Sequence, residues 1–205
     1  MKDVTALRPE TFQNLQLNAG AFLVDFDFST YKTLATLEAA LTEALKDGSK
    51  TLGATRGGGT FTATPEVRNI EADGKRYEFK GSTVFDSWDI KLTATLLEVN
   101  ATNMARALAS AETETDSGFT SGTKTVVKLR TDLEDTDYID KLCWFGKTSK
   151  GLVAIELENA LNTTGATLTF ADKGEGTLPV EFHAHQAEVD EMEYAPCGIY
   201  FFDKA

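Results

Sequence analysis

With 205 residues and a formal charge of −12 (32 acidic against 20 basic side chains), the chain has room for one large domain or two small ones. It is too acidic for a surface built to grip phosphate. Apolar residues at 41%, thirteen of the residues being Phe, supply a sizeable core and exclude wholesale disorder, and two cysteines are too few for a disulfide framework.

Residues 1–19 are polar and weakly patterned, as in an N-terminal arm, and carry no secretory signal pattern. A soluble protein made in the cytoplasm is expected. Residues 21–28 (AFLVDFDF) predict a strand with Phe22, Val24, Phe26 and Phe28 on one side. Leu34, Leu37, Leu41 and Leu45 recur at helical spacing, with Thr33 as N-cap and Gly48 as stop. That single apolar stripe predicts an amphipathic helix lying on a sheet.

Residues 46–60 (KDGSKTLGATRGGGT) predict a long loop. Residues 67–72 and 76–80 flank Asp73-Gly74, a pair suited to a two-residue hairpin turn. Trp88, Ile90, Leu92, Ala94 and Leu96 then alternate with Ser87, Asp89, Lys91, Thr93 and Thr95. This predicts a strand with one core face and one wet face. Asn100 or Thr102 caps a short helix running to Ala111, with Met104, Ala107, Leu108 and Ala111 inward. The acidic residues 112–122 predict a second long loop, the best placed to be mobile.

Further strands are predicted over 123–131, 138–145, 151–157, 167–170, 178–189 and 198–202. No repeat, low-complexity tract or linker interrupts the chain, so residues 1–205 read as a single domain. The expected fold is mainly β, a sandwich or barrel of antiparallel strands with one flanking amphipathic helix and one short helix.

No catalytic constellation emerges, and the chain is read as a non-enzyme without cofactor or metal. His183 and His185 share a strand face at a spacing some metal sites use, but no third His or Cys ligand accompanies them. Arg56-Gly57-Gly58-Gly59 leads into a strand rather than a helix, which fails both the P-loop and the dinucleotide pattern and leaves a flexible loop. Residues 132–140 (DLEDTDYID) lack the glycine and terminal glutamate of a calcium loop. Cys143 and Cys197 have no nearby His, and each sits among aromatics like a buried thiol; whether they pair stays open.

One stretch does resemble a known family. Gly53-Ala54-Thr55-x-Gly57-Gly58, then Phe61-x-x-x-Pro65-Glu66-x-Arg68-x-Ile70, the Asp73-Gly74 turn, Lys80-Gly81 and Trp88-x-x-x-Leu92-x-x-x-Leu96 resemble the tail tube (major tail) proteins of long-tailed bacteriophages and prophages. A second block, residues 177–185 (TLPVEFHAH), resembles their late strand. Together the blocks cover about a third of the chain, in order.

The resemblance implies a virion structural protein, assembled in the bacterial host cytoplasm into hexameric rings that stack into a tube. One sheet of each subunit would join its neighbours around a channel through which DNA passes without specific binding. Tail tip, tape measure and terminator proteins would be its other partners, and no membrane is involved. Asp89, Lys91 and Thr93, or Glu181, His183 and His185, are then the candidate lumen-facing or subunit-contact residues. Arg56, Gly57, Gly58 and Gly59 are the candidate ring-stacking loop. The contrary classes are a carbohydrate-binding or adhesin-like sandwich, and a tail-terminator or decoration protein of related fold. A sugar site is expected to expose aromatics, whereas Trp88 and Trp144 both read as core.

Overall fold

The computed structural model describes residues 11–204 apart from 14, 17, 171 and 189–192. Residues 1–10 of the expected arm and Val189 of an expected strand lie outside the described residues. Among the described residues, nine strands and two α-helices follow in the order β1 (Ala21–Val24), α1 (Leu34–Ala44), β2 (Thr55–Asn69), β3 (Thr83–Leu96), α2 (Ala101–Ala107), β4 (Ala111–Asp116), β5 (Lys124–Leu129), β6 (Ile139–Lys147), β7 (Gly151–Asn162), β8 (Leu178–His183) and β9 (Cys197–Asp203). The molecule is mainly β, and every strand pairing is antiparallel.

Seven strands form one sheet, ordered β1-β6-β7-β8-β3-β2, with β9 also on β7. β7 serves two partners along one edge. Its first half, residues 151–157, takes β9, and Leu161 and Asn162 take β8. The sheet turns over at that point, so that β8, β3 and β2 face β1, β6 and β7 across a shared core. Phe22 and Val24 of β1 and Leu142 and Leu157 of β6 and β7 meet Ile90, Leu92, Leu96, Val180 and Phe182 from the other side. The two ends of the sheet order come close enough that a Cβ on Gly59 of β2 would lie 2.4 Å from the Phe22 ring of β1.

α1 covers the opposite face of β1, β6 and β7. Leu37, Leu41 and Ala44 pack with Leu23, Cys143, Leu152 and Ala154. The Thr33 hydroxyl accepts the Thr36 N–H as N-cap. Leu45, expected on the buried stripe, is exposed because the helix ends at Ala44 and Ala44 takes the inner position. α2 is capped by Asn100 and ends at Ala107, short of Ala111, which opens β4.

Several boundaries differ from the sequence expectation, each for a local reason. β1 stops at Val24 because Asp25 adopts a left-handed φ of 55°. That kink sends Phe26 and Phe28 to the α1 side, whereas Phe22 and Val24 face the other core, so the four aromatic and apolar residues do not share a side. The loop expected over 46–60 is strand from Thr55 onward. Gly57 and Gly58, at φ 73° and 74°, form a bulge that β2 absorbs between Thr55 and Gly59. Of the loop expected over 112–122, residues 112–116 belong to β4 and 117–122 are the loop that joins it to β5, the hairpin being held by Lys124–Asp116 and Lys128–Glu114 ion pairs.

Asp73-Gly74 is a turn, but not the hairpin turn expected. β2 pairs directly with β3 up to Asn69↔Thr83, and residues 70–82 form its tip. The two cysteines are free and belong to different layers of packing. Cys143 is in register with Glu156 and packs toward α1, while Cys197 is in register with Leu157 and packs toward the sheet–sheet core.

Candidate functional site

Period-two alternation decides what the β2–β3–β8 layer offers to its outside. With Ile90, Leu92, Ala94 and Leu96 in the core, Asp89, Lys91, Thr93 and Thr95 must face outward. The register then sets their neighbours. Thr60, Thr62 and Thr64 of β2 stand opposite Thr93, Lys91 and Asp89, and Glu181 and His183 of β8 stand opposite Thr93 and Lys91 on the other flank. The result is a wall of hydroxyls and charges three strands wide.

Four of the sequence-singled residues converge at its centre. Lys91 Nζ lies 3.5 Å from Glu181 Oε1 and 3.7 Å from Asp89 Oδ2. The His183 ring lies between the same carboxylates, Nδ1 3.3 Å from Asp89 Oδ1 and Nε2 3.1 Å from Glu181 Oε1. Thr93 is one register step away, its hydroxyl 3.5 Å from the Thr60 carbonyl. The ammonium at the centre of the wall is thus held between two carboxylates of the same wall.

His185 does not join them. β8 ends at His183, and the chain crosses over: the Ala184 N–H donates to Ile90 O of β3 and the His185 N–H to Glu158 O of β7. The His185 ring therefore sits by the Asn159 carbonyl at 3.1 Å and edge-on to Tyr138.

Arg56 and Gly57–Gly59 lie at the lower end of the wall. With Thr60, Thr93, Thr95 and Glu181 they border an open depression of about 430 Å³. The bulge, not a loop, brings them there, and Arg56 is paired with Glu175 at 2.5 Å. Among the described residues no cluster of three or more His, Cys, Asp or Glu is arranged to hold a metal ion, and no helix is long and apolar enough to cross a membrane.

Two features of this layer differ from the sequence expectation. The β2 threonines directly follow the expected loop 46–60, and the alternation Thr60-Phe61-Thr62-Ala63-Thr64 is the signal that places them on a strand. Trp88 was expected in the core as the next member of the β3 stripe, yet it is 48% exposed. β2 and β3 run past the end of the core there and project as an arm. A register shift between Glu66 and Val67 places Phe85 beside Trp88, their ring centroids 5.5 Å apart. Trp144 does pack against the core, and its indole N–H donates to Ala19 O at 3.0 Å.

No protein-family model matches the chain, and a search of curated proteins finds no match.

Proposed function

We propose that the chain is a structural subunit of a phage-type tail tube, assembling as hexameric rings stacked around a DNA-conducting channel, and not an enzyme. The observation that carries this reading is the outer wall of β2, β3 and β8. A lining past which DNA slides must be polar enough to stay wet and must offer no cation to phosphate. Thr60, Thr62, Thr64, Thr93 and Thr95 meet the first requirement. Lys91 meets the second, since Asp89 and Glu181 hold it and leave the quartet with His183 at a net −1 when the imidazole is neutral. An acidic chain adds like-charge repulsion toward DNA. The edge of β2 that no described strand pairs and the projecting arm supply surfaces for joining and stacking subunits.

Negative-stain microscopy of concentrated protein, alone and with tail-tip components, tests this directly. Rings or tubes of uniform bore are expected. A strictly monomeric protein under all these conditions refutes it.

Exposure of Trp88 and Phe85 favours one second reading, a carbohydrate-binding module. Against it, the two rings are tilted 51° to each other and do not form a flat sugar platform. Glycan-array binding that is lost in Trp88→Ala would support that reading instead.

A further inference from the structure

Two carboxylates meet the His183 ring on the outer wall, one at each nitrogen. Nε2 is hydrogen-bonded to Glu181 Oε1 at 3.1 Å. An ionised carboxylate only accepts, so the neutral ring carries its proton on Nε2. That leaves Nδ1 with a bare lone pair 3.3 Å from Asp89 Oδ1. The neutral ring therefore makes one bond, to Glu181, and sets two electron-rich atoms against each other at Asp89. A second proton, on Nδ1, turns that contact into an attraction.

The surroundings add one further charge. Lys91, the register partner of His183 on β3, places Nζ 3.5 Å from Glu181 Oε1 and 3.7 Å from Asp89 Oδ2. Both distances exceed those of the imidazole nitrogens, so a charged ring is the closer cation to each carboxylate. On β7 the register partner of His183 is Leu161, and on β2 Thr62 and Thr64 stand beside Lys91 and Asp89; none of these carries a charge. The His183 side chain keeps 25% of its surface, which lets water deliver and remove the proton.

His185 has the opposite arrangement. Its Nδ1 lies 3.1 Å from the carbonyl oxygens of both Asn159 and His183. Carbonyls only accept, so this neutral ring carries its proton on Nδ1. The chain has two histidines, and their neutral forms are opposite tautomers.

We propose that Nδ1 of His183 is a proton-operated latch between β8 and β3. Neutral, the ring is bonded only within its own strand, to Glu181, and Asp89 is left to Lys91. Protonated, it bridges Glu181 to Asp89, ties the two strands through their side chains and brings the quartet from −1 to zero. Histidine is the side chain whose charge ordinarily changes between about pH 5 and 8, so pH in that window sets the state of the latch. Its use rests on the channel-wall reading above: each copy adds or withdraws one negative charge along the lining as pH changes.

Ring-nitrogen NMR of the full chain tests the tautomers, with His185→Gln assigning the signals. At the alkaline end of the titration His183 is expected to hold its proton on Nε2 and His185 on Nδ1. A neutral His183 with its proton on Nδ1 overturns the latch. Urea unfolding of the parent and of His183→Gln supplies the second readout. The bond to Asp89 exists only in the folded chain, so its contribution is present at low pH and lost as pH rises through the histidine range. The folding constant of the parent relative to His183→Gln is expected to rise at least about threefold from about pH 8 to about pH 6, within the ceiling of about tenfold per pH unit that one proton allows. Asp89→Asn keeps the shape, and its amide N–H can donate to the bare Nδ1 of a neutral ring. The rise, measured between Asp89→Asn and Asp89→Asn/His183→Gln, is expected to vanish. No rise in the parent, or an equal rise with Asn at position 89, overturns the proposal. Neither measurement needs assembly. A strictly monomeric protein with both signals loses the channel and keeps the latch, and tubes without them keep the channel and lose the latch.

Discussion

Replacing Lys141 by Met should expose how the α1 layer is pinned to the sheet. Glu156 is 2% exposed, and its carboxylate accepts the Lys141 Nζ at 3.1 Å and the Phe28 N–H at 3.2 Å. Lys141 also reaches Asp27 Oδ2 at 3.0 Å. Burial by itself pushes the Lys141 pKa down, but hydrogen bonds and charge from Asp27 and Glu156 outweigh it and hold it above the ordinary lysine value. Lys141→Met leaves an anion in the layer with no cation. Breaking a buried pair from one side costs about 3–5 kcal/mol. Because the Lys141 side chain keeps 29% of its surface, the lower end applies, about 3 kcal/mol. At about 2–4 °C per kcal/mol for a domain of this size, Tm should fall by about 6–12 °C.

Urea unfolding followed by far-UV circular dichroism measures the loss. The double variant Lys141→Met/Glu156→Leu should regain part of it, since it removes the unpaired buried anion beside Leu152 and Ala154 but leaves the Phe28 N–H without its acceptor. A single variant within about 1 kcal/mol of the parent, or a double variant no better than the single, refutes the reasoning. The pH dependence has a sign. Lys141 is raised on folding, so its contribution is full below the unfolded value of about 10.4 and is lost as pH rises through the folded value. Asp27 is lowered, first by the Ser29 hydroxyl and further by Lys141, so its contribution holds above its ordinary 3.8 and is lost as pH falls through the folded value.

Asn162→Ala should cost about 1–3 kcal/mol in urea unfolding, because the fully buried amide bonds Ala107 O and Gly165 O while its oxygen accepts the Thr164 N–H; a neutral result would mean that these groups find other partners. Gly59→Ala should destabilise by about 1–3 kcal/mol, since its Cβ would lie 2.5 Å from Thr93 O as well as against Phe22. Gly57→Ala, in open space, should cost only the left-handed backbone, about 1 kcal/mol; the reverse ranking would contradict the bulge geometry. Native protein should react slowly with thiol reagents, since burial pushes both Cys143 and Cys197 up. Two thiols should appear on unfolding without reductant; a disulfide found by mass spectrometry would overturn their placement in separate layers.

Local order was readable along the chain. The helix with Thr33 at its cap, the alternation from Ile90 to Leu96 and the strands β6 and β7 follow from side-chain period and turn chemistry, which act within a few residues. So did the outward placement of Asp89, Lys91 and Thr93, because a core face on β3 dictates its opposite. What depends on distant segments was not readable. Asp25 turns left-handed against β6, its N–H donating to Lys141 O at 2.7 Å, and no pattern in AFLVDFDF announces that. His185 parts from His183 because the chain changes partner from β3 to β7 between them. Trp88 continues an apolar stripe in sequence, yet the core ends at Ile90, since among the described residues no opposing layer extends beneath the arm. Periodicity states which residues share a face; only the tertiary fold decides where a second layer arrives to cover it, and among the described residues none covers Trp88 as β6 and β7 cover Ile90 and Leu92.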